Sequence, residues 1–425
     1  MQNEMKSRGD GSRVSTIIRT CKLLDRMSRG NPDVPSSHLI YYRILADYYT
    51  RILKAREDGR FIAAHTVWFP AELLYAMNIV PLHIEITSWM TALFSGSCAD
   101  LLSVAAAAGI APETCSPYRV LIGAFSSGAI PQPSVVLSSN LICDNNSKIG
   151  ELIRHLVQRP GFFLDCPFNR SNIELSYLKD ELAALIGFLE EKSGQKLDLD
   201  RLRENISRMD KHIGILRQID SLRCHIPSPF IPADFLKLFT VDCLFAGEPE
   251  ALEYLEAVRL ELADKVRAGR GIAYPERFRI LSIGIPPILL MGAVERTSRE
   301  YGAVSVSDPY SCTWEDGWLD APDPLDNVIR RIQMYPSSVF YGPLTDRLTE
   351  KVVKAAIDHR VDGAIFYAHL GCRQSAPLIK PIKEALSSVG VPMLILDCDI
   401  IDVTVTPEED LCHKLRQFYE LLEDR

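Results

Sequence analysis

The sequence lacks the short motifs that identify most nucleotide-binding, zinc-protease and serine-hydrolase sites. It contains neither GxGxxG nor GxxxxGK[ST], so neither a dinucleotide fingerprint nor a phosphate-binding loop is predicted. HExxH and GxSxG are also absent, which excludes the corresponding zinc and nucleophile-elbow arrangements. We therefore do not expect this chain to hydrolyse a nucleotide through any of these sites.

The chain also lacks a basic excess and a long apolar run. Its 425 residues carry a formal net charge of −8, which argues against a nucleic-acid partner held by a basic face. The most apolar stretch, 283–294, contains Pro286 and Pro287 and is too short to span a bilayer. The first residues, MQNEMKSRGDGSR, contain no apolar signal-peptide core. We expect a cytoplasmic protein with no nucleic-acid partner and no membrane association.

Eleven cysteines are present, but no two of them form a CxxC pair. Zinc-ribbon and ferredoxin spacings are thus absent, and any metal site must be assembled from distant segments. An odd number of cysteines without a secretion signal indicates reduced thiols rather than a disulfide framework.

Alternating apolar runs and helical patterns predict an α/β fold with two Rossmann-like parallel-sheet lobes. The predicted strands are 61–68, 80–86, 135–138, 161–164, 278–284, 303–307, 364–367 and 392–396. An N-terminal helical segment and a helical middle region carry little strand signal. The predicted division is therefore 1–58 for the N-terminal helices, 59–170 for the first lobe, 171–275 for the middle region and 276–425 for the second lobe.

The stretch 361–403 combines a strand, a cysteine-bearing turn, a helix and a further strand (VDGAIFYAHLGCRQSAPLIKPIKEALSSVGVPMLILDCDIIDV). Ligands of open parallel sheets lie at the carboxyl ends of the strands, which is where this pattern positions Cys372. Cys143 follows another predicted strand, and Cys115 opens a predicted helix. A helix N-terminus favours thiolate, the form of cysteine that binds metal.

Three thiolates suit an iron–sulfur cube in which one iron keeps a position for another ligand. Two other interpretations stay open on the residues alone. Free cysteines are often buried and inert. Cys372 with His369 would also be conceivable as a nucleophile and base, although no third orienting residue is evident.

Several segments resemble the 2-hydroxyacyl-CoA dehydratase component D family, which includes the related benzoyl-CoA reductase subunits. WFPAELLYA at 68–76 resembles the family's aromatic-Pro-x-Glu-Leu helix start. CSPYR at 115–119, CD at 143–144 with Lys148, and HLGCR at 369–373 resemble its three ligand segments. The likeness runs from about residue 61 to the C-terminus and covers most of the chain.

The resemblance implies one [4Fe-4S] cluster held by Cys115, Cys143 and Cys372. It implies a subunit of an ATP-activated, oxygen-sensitive 2-hydroxyacyl-CoA dehydratase, which removes water from an acyl-CoA by radical chemistry, or of a related aryl-CoA reductase. It also implies a homologous second subunit in a heterodimer and an ATP-hydrolysing activator protein that injects one electron. Glu72, in the first turn of its helix, is either a helix-stabilising carboxylate or a catalytic acid–base group.

Two alternatives to this catalytic subunit remain. One is a non-catalytic electron-transfer or scaffold subunit whose partner holds the substrate, and the other is a double-cubane-type reductase. A double-cubane-type reductase needs about twice as many cysteine ligands as a single cube, and residues 333–343 contain no cysteine.

Cys98 and Cys312 are additional thiols near the predicted site segments, and we expect Cys312 to be a spare thiol. We expect His369 to be structural rather than a ligand.

Overall fold

The computed structural model describes residues 11–167, 172–272, 274–308, 319–334 and 345–425. Cys312 lies outside these residues. Within them, every helix is either too short or too polar to cross a bilayer.

The first lobe is built on a four-stranded parallel sheet. Its strands are β1 (Ile62–His65), β2 (Val80–His83), β3 (Val135–Ser139) and β4 (Gly161–Leu164), in the order β2-β1-β3-β4. The helices of this part are α1 (Ser12–Ser28), α2 (Ser36–Glu57), α3 (Ala71–Ala76), α4 (Ile84–Ser95), α5 (Ala99–Ala107), α6 (Ser116–Ser127) and α7 (Asp144–Val157). The first three strands are buried along their whole length, as is usual for parallel strands covered by helices.

The middle region consists of four helices in the part of the chain that is described. They are α8 (Asn172–Ser193), α9 (Leu199–Arg223), α10 (Asp234–Leu244) and α11 (Pro249–Arg267). The Asp198 side chain begins α9 by accepting hydrogen bonds from the Asp200 and Arg201 amides, both at 3.0 Å. Helix α9 buries one apolar stripe, formed by Leu202, Ile206, Met209, Ile213 and Leu216.

The second lobe repeats the sheet order of the first. Its parallel strands are β5 (Phe278–Ile283), β6 (Ala303–Ser307), β7 (Gly363–His369) and β8 (Met393–Cys398), in the order β6-β5-β7-β8. Its helices are α12 (Met291–Glu300), α13 (Pro324–Met334), α14 (Thr345–Asp358), α15 (Ile379–Ser388) and α16 (Glu408–Glu423). In each sheet, the strand that comes first in the chain, β1 or β5, has the second strand on one side and the third strand on the other. Open sheets bind ligands at such a reversal of strand order.

The predicted α/β fold, with two parallel sheets and helical N-terminal and middle regions, is confirmed. The largest hydrophobic core runs through α1, α2, the first sheet and the middle helices, and residues of the second lobe in α13 and at Ile400 and Ile401 join it. The division of the chain into four parts stays a prediction, since this core contains residues of all four.

The strand predicted at 80–86 is wrong in its second half, because β2 ends at His83 and α4 begins at Ile84. The His83 side chain accepts a hydrogen bond from the Ile86 amide at 3.3 Å and so caps the new helix. Every residue from Ile84 to Ala92 is buried. A helix buried all round shows no amphipathic stripe, so its apolar run cannot be told from a strand by periodicity.

Candidate functional site

The three cysteines singled out by the sequence come together where the two lobes meet. Cys115 immediately precedes α6, Cys143 immediately precedes α7, and Cys372 lies in the turn after β7. A Cβ atom at Gly371 would lie 2.6 Å from the Cys115 nitrogen, and Arg373 forms an ion pair with Asp144, so the residues on either side of Cys372 reach both other cysteine turns. All three keep some exposed surface.

Each cysteine is fixed by backbone hydrogen bonds of its own turn. The Cys115 carbonyl accepts from the Tyr118 amide at 3.0 Å, and the Cys143 carbonyl accepts from the Asn146 amide at 3.1 Å. The Cys372 amide donates to the His369 carbonyl at 3.0 Å. Two of the thiols therefore stand at helix N-termini, where the helix dipole favours negative charge.

Contacts between the lobes hold this arrangement together. Arg119 Nη2 in α6 donates to Asp402 Oδ2 at 2.7 Å, and the Ile401 amide donates to Ser116 Oγ at 3.2 Å. Arg373, next to Cys372, forms an ion pair with Asp144, next to Cys143. Segments distant in the sequence thus meet at the cysteines through direct side-chain contacts.

Burial and mutual repulsion oppose ionisation of these thiols in the metal-free chain. Burial raises the pKa of Cys115 well above its usual value, and the neighbouring Cys372 and Cys143 raise it further. Burial likewise raises the pKa of Cys143 to about 12, although the Asn146 and Asn145 amides favour its thiolate. A bound metal centre would supply the positive charge that three adjacent thiolates require.

Three cysteine side chains supply thiolates, the ligand type that holds iron–sulfur clusters. Within the part of the chain that the structure describes, no three His, Cys, Asp or Glu side chains surround one metal-ion position.

Glu72, the predicted acid–base candidate, lies in a buried ion pair. Its side chain is fully buried and accepts from Arg331 Nε at 2.6 Å, with a second bond from Arg331 Nη2 to its other oxygen. Burial raises the pKa of Glu72, and Arg331 opposes that shift. The structure thus places the carboxylate against α13, and its catalytic role stays a prediction.

The remaining candidates are structural in their contacts. His369 is buried, with Nε2 against the Ile285 carbonyl and Nδ1 3.5 Å from Cys398 Sγ. Cys98 stands at the start of α5, where burial raises its pKa to about 12 and Arg13 and Asp100 are its charged neighbours. The structure therefore does not bring Cys98 to the three neighbouring thiols.

One acidic residue beside the thiols was not predicted. Glu85, in the first turn of α4, is buried and contributes to the raised pKa of both Cys115 and Cys143. Burial raises the pKa of Glu85 itself to about 7. The only sequence signal was an acidic residue within the apolar run IVPLHIEI, which the strand interpretation left unexplained.

An open cleft of about 370 Å³ lies beside the cysteine turns. Thr114 and Asn145, neighbours of the Cys115 and Cys143 turns, line it together with Tyr118. The charged residues of its wall are Glu113 and the cations Lys148 and Arg373, which both pair with Asp144, while much of the remaining lining is aliphatic. Its size and mixed lining suit a small-molecule site.

Several known proteins are similar to this chain, among them three subunits of CoA-dependent enzymes. The chain is 24% identical to the (R)-2-hydroxyisocaproyl-CoA dehydratase alpha subunit of Clostridioides difficile, over 90% of this chain and 95% of the relative. It is 24% identical to a benzoyl-CoA reductase subunit of Thauera aromatica, over 94% and 98%. It is 21% identical to the (R)-phenyllactyl-CoA dehydratase beta subunit of Clostridium sporogenes, over 67% and 75%.

The sequence profile described as "2-hydroxyglutaryl-CoA dehydratase, D-component" matches residues 66–422. This match and the relatives confirm the family recognised from the motifs, and with it the expected class of dehydratase-like or benzoyl-CoA reductase-like enzyme subunits. The chain therefore belongs to the 2-hydroxyglutaryl-CoA dehydratase D-component family.

Proposed function

We propose that this chain is the iron–sulfur subunit of an oxygen-sensitive 2-hydroxyacyl-CoA dehydratase or a related aryl-CoA reductase. The observation that carries the proposal is the meeting of the turns of Cys115, Cys143 and Cys372 between the lobes, with two of these cysteines at helix starts. A [4Fe-4S] cluster bound there would supply one-electron reduction and a Lewis-acidic iron without a thiolate ligand.

The chain's own residues would prepare this site in two ways. The N-termini of α6 and α7 favour the thiolate forms of Cys115 and Cys143, which bind iron. The partial burial of these cysteines would reduce the contact of a bound group with water.

The cleft beside the thiols supports an acyl-CoA substrate. Its aliphatic walls suit an acyl chain, and Lys148 and Arg373 suit the phosphate groups of coenzyme A. Tyr118, which lines the cleft, lies three residues after Cys115 and so links the cleft to the cysteine turns. Both cations are exposed, so they would help to orient a substrate more than they would raise its affinity.

We further propose a homologous partner subunit and a separate ATP-hydrolysing activator. The chain is similar both to relatives named alpha subunits and to one named a beta subunit, which supports pairing between related chains. The sequence lacks a phosphate-binding loop, which supports a separate source of ATP-driven electrons. We also propose a cytoplasmic location, where eleven cysteines stay reduced.

The similarity to a beta subunit also favours a second candidate function. In that case the chain would carry electrons or support the partner's site without binding substrate. Binding of the acyl-CoA to the isolated chain, measured by calorimetry, separates the two. Binding to the isolated chain supports the substrate-binding role, whereas binding only to the partner supports the electron-transfer role.

Anaerobic reconstitution tests the cluster directly. We expect about four iron atoms per chain if one cube forms. Cys115→Ala, Cys143→Ala and Cys372→Ala should each lose most of this iron. Cys412→Ala is the control, because Cys412 lies in the separate core of the second lobe. Equal iron retention in the site variants and the control would contradict the assignment.

A further inference from the structure

Three buried polar side chains from three different helix starts meet behind the cysteine turns. Glu85 belongs to the first turn of α4, Tyr118 to that of α6 and Asn146 to that of α7. Their exposed fractions are 6%, 4% and 0%, so their polar atoms have to find partners within the protein. Tyr118 Oη donates to Glu85 Oε1 at 3.1 Å and also contacts the Asn146 side-chain amide.

The orientation of the Asn146 amide follows from hydrogen-bond satisfaction. With Asn146 Oδ1 facing Tyr118 Oη, the buried Asn146 Nδ2 has no hydrogen-bond partner. A hydroxyl has one proton, so it cannot donate to both Glu85 and Asn146. Exchanging the amide oxygen and nitrogen, which are assigned from the hydrogen-bond network, gives Nδ2 an acceptor and leaves the hydroxyl with a single acceptor for its proton. Asn146 Nδ2 then donates to Tyr118 Oη, and Tyr118 Oη donates to Glu85 Oε1.

This chain of hydrogen bonds joins the two turns that carry Cys115 and Cys143. The Tyr118 amide donates to the Cys115 carbonyl at 3.0 Å, and the Asn146 amide donates to the Cys143 carbonyl at 3.1 Å. Each residue is thus bonded through its backbone to a cysteine and through its side chain to the other turn. A contact between Tyr118 and Asn146 therefore restricts the separation of the two thiols.

We propose that Glu85, Tyr118 and Asn146 are positioning residues that fix the turns of Cys115 and Cys143 before the cluster binds. The bound group is the one named under the proposed function, on which this inference rests. Ligand turns held in place by buried hydrogen bonds lose less freedom when a metal centre binds. Partners that orient metal ligands typically change metal affinity by about 10-fold to 100-fold when they are removed.

Four variants separate the hydrogen bonds from other effects. Tyr118→Phe removes the hydroxyl and keeps the ring. Glu85→Gln keeps an acceptor for Tyr118, whereas Glu85→Leu removes it. Tyr419→Phe is the matched control, because it removes a buried hydroxyl that lies 2.7 Å from Ser298 Oγ in the second lobe.

The first measurement is the release of iron to a chelator under anaerobic conditions, together with the electron paramagnetic resonance spectrum of the reduced protein. Tyr118→Phe and Glu85→Leu should release iron about tenfold faster than the unmodified chain and show broadened spectra. Glu85→Gln and Tyr419→Phe should resemble the unmodified chain. Unchanged release and spectra in Tyr118→Phe would overturn the proposal.

The second measurement needs no cluster, so it separates this inference from the proposed function. Hydrogen exchange of the metal-free chain should be faster at the first turns of both α6 and α7 in Tyr118→Phe, and unchanged there in Tyr419→Phe. If the unmodified chain binds no iron but this difference is present, the proposed function fails and the positioning role stands. If iron binds and the exchange of both turns is unchanged, the positioning role fails.

Discussion

Gly371 of the second lobe lies so close to Cys115 of the first that a Cβ atom at position 371 would be 2.6 Å from the Cys115 backbone nitrogen. The Cys115 Cα and the Thr114 carbonyl carbon would be 2.7 and 2.9 Å away. All three are backbone atoms, which cannot rotate aside as a side chain would. The absence of a side chain at Gly371 therefore permits the approach that brings Cys372 to the other two cysteines.

We predict that Gly371→Ala separates the lobes at the cysteine site. Relief of the clash should cost about 1–3 kcal/mol of stability, as overpacking generally does, and should lower the iron content after reconstitution. Gly187→Ala is the control, since nothing lies within 4 Å of a Cβ there and Gly187 is within α8. That variant should be as stable as the unmodified chain or slightly more so. Equal iron content in both variants would contradict the prediction.

The buried pair of Glu72 and Arg331 gives a second prediction. Both side chains are fully inaccessible, so Glu72→Ala would leave the Arg331 charge buried without its carboxylate. Removing one partner of such a pair typically destabilises a protein by about 3–5 kcal/mol. Lys354→Ala, which breaks an exposed pair with Asp358, should cost less than about 1 kcal/mol. Urea unfolding of both variants measures the difference.

The same pair allows the catalytic role of Glu72 to be tested separately. Glu72→Gln keeps most of the side-chain volume and removes the negative charge, so a folded fraction should be recoverable for assay. If Glu72 acts on the substrate, activity per folded molecule should fall by about 100-fold or more, as loss of an acid–base group usually does. Activity that falls only in proportion to the folded protein would assign Glu72 to stability alone.

His359 predicts a pH dependence of stability far from the cysteine site. Burial lowers its pKa, but hydrogen bonds to Asp220 and Cys224 outweigh this and raise it to about 9. His359 Nε2 lies 3.1 Å from Asp220 Oδ1. Between the unfolded value of about 6.5 and this folded value, the folded chain holds a proton that the unfolded chain has lost. This stabilisation is complete below pH ~6.5 and is lost as the pH rises through ~9.

The size of this effect should be about 3 kcal/mol between pH 6 and 9.5, from the shift in pKa. Urea unfolding of the unmodified chain and of His359→Gln at the two pH values isolates the contribution. The unmodified chain should lose more stability than the variant over this range. His413→Gln, at an exposed histidine, should change with pH as the unmodified chain does. Parallel behaviour of His359→Gln and the unmodified chain would disprove the assignment.

The sequence predicted those features that depend on local pattern. Val135 and Val136 in β3, and the run before His369 in β7, are short apolar stretches followed by turns, and both form parallel strands. Parallel strands place their carboxyl ends at one edge of a sheet, so cysteines that follow strands could be expected near a ligand site. Cys143 follows a strand of the first sheet and Cys372 follows a strand of the second. The two cysteines therefore come close to each other once the two lobes face each other.

The features that were missed depend on contacts between distant residues. Helix α4 follows β2 directly and is buried on all sides, so its first residues continue the apolar run of the strand and were predicted to belong to it. With the helix unrecognised, Glu85 could not be placed in a first turn beside Tyr118. The ion-pair partner of Glu72 could not be predicted either, because Arg331 lies 259 residues after Glu72 and no local pattern connects the two.

The final prediction concerns partners. Reduction of an acyl-CoA or its 2-hydroxy derivative to a radical demands a very low potential, and coupling to ATP hydrolysis on another protein is a physical route to it. Since the chain lacks a phosphate-binding loop, it should act as an electron receiver rather than as the ATPase. The activator should dock near Cys115, Cys143 and Cys372, because electron transfer has to cover a short gap.

The assay is carried out anaerobically with the purified chain, first alone and then with a homologous subunit, an activator, ATP and a strong reductant. Only the complete mixture should dehydrate or reduce the acyl-CoA, and a non-hydrolysable ATP analogue should abolish the activity. Cys372→Ala should be inactive in the complete mixture, while Cys412→Ala should remain active, since Cys412 lies in the other core. Turnover by the lone chain without ATP would refute the prediction. An inactive complete mixture with iron retained would favour the electron-transfer role instead.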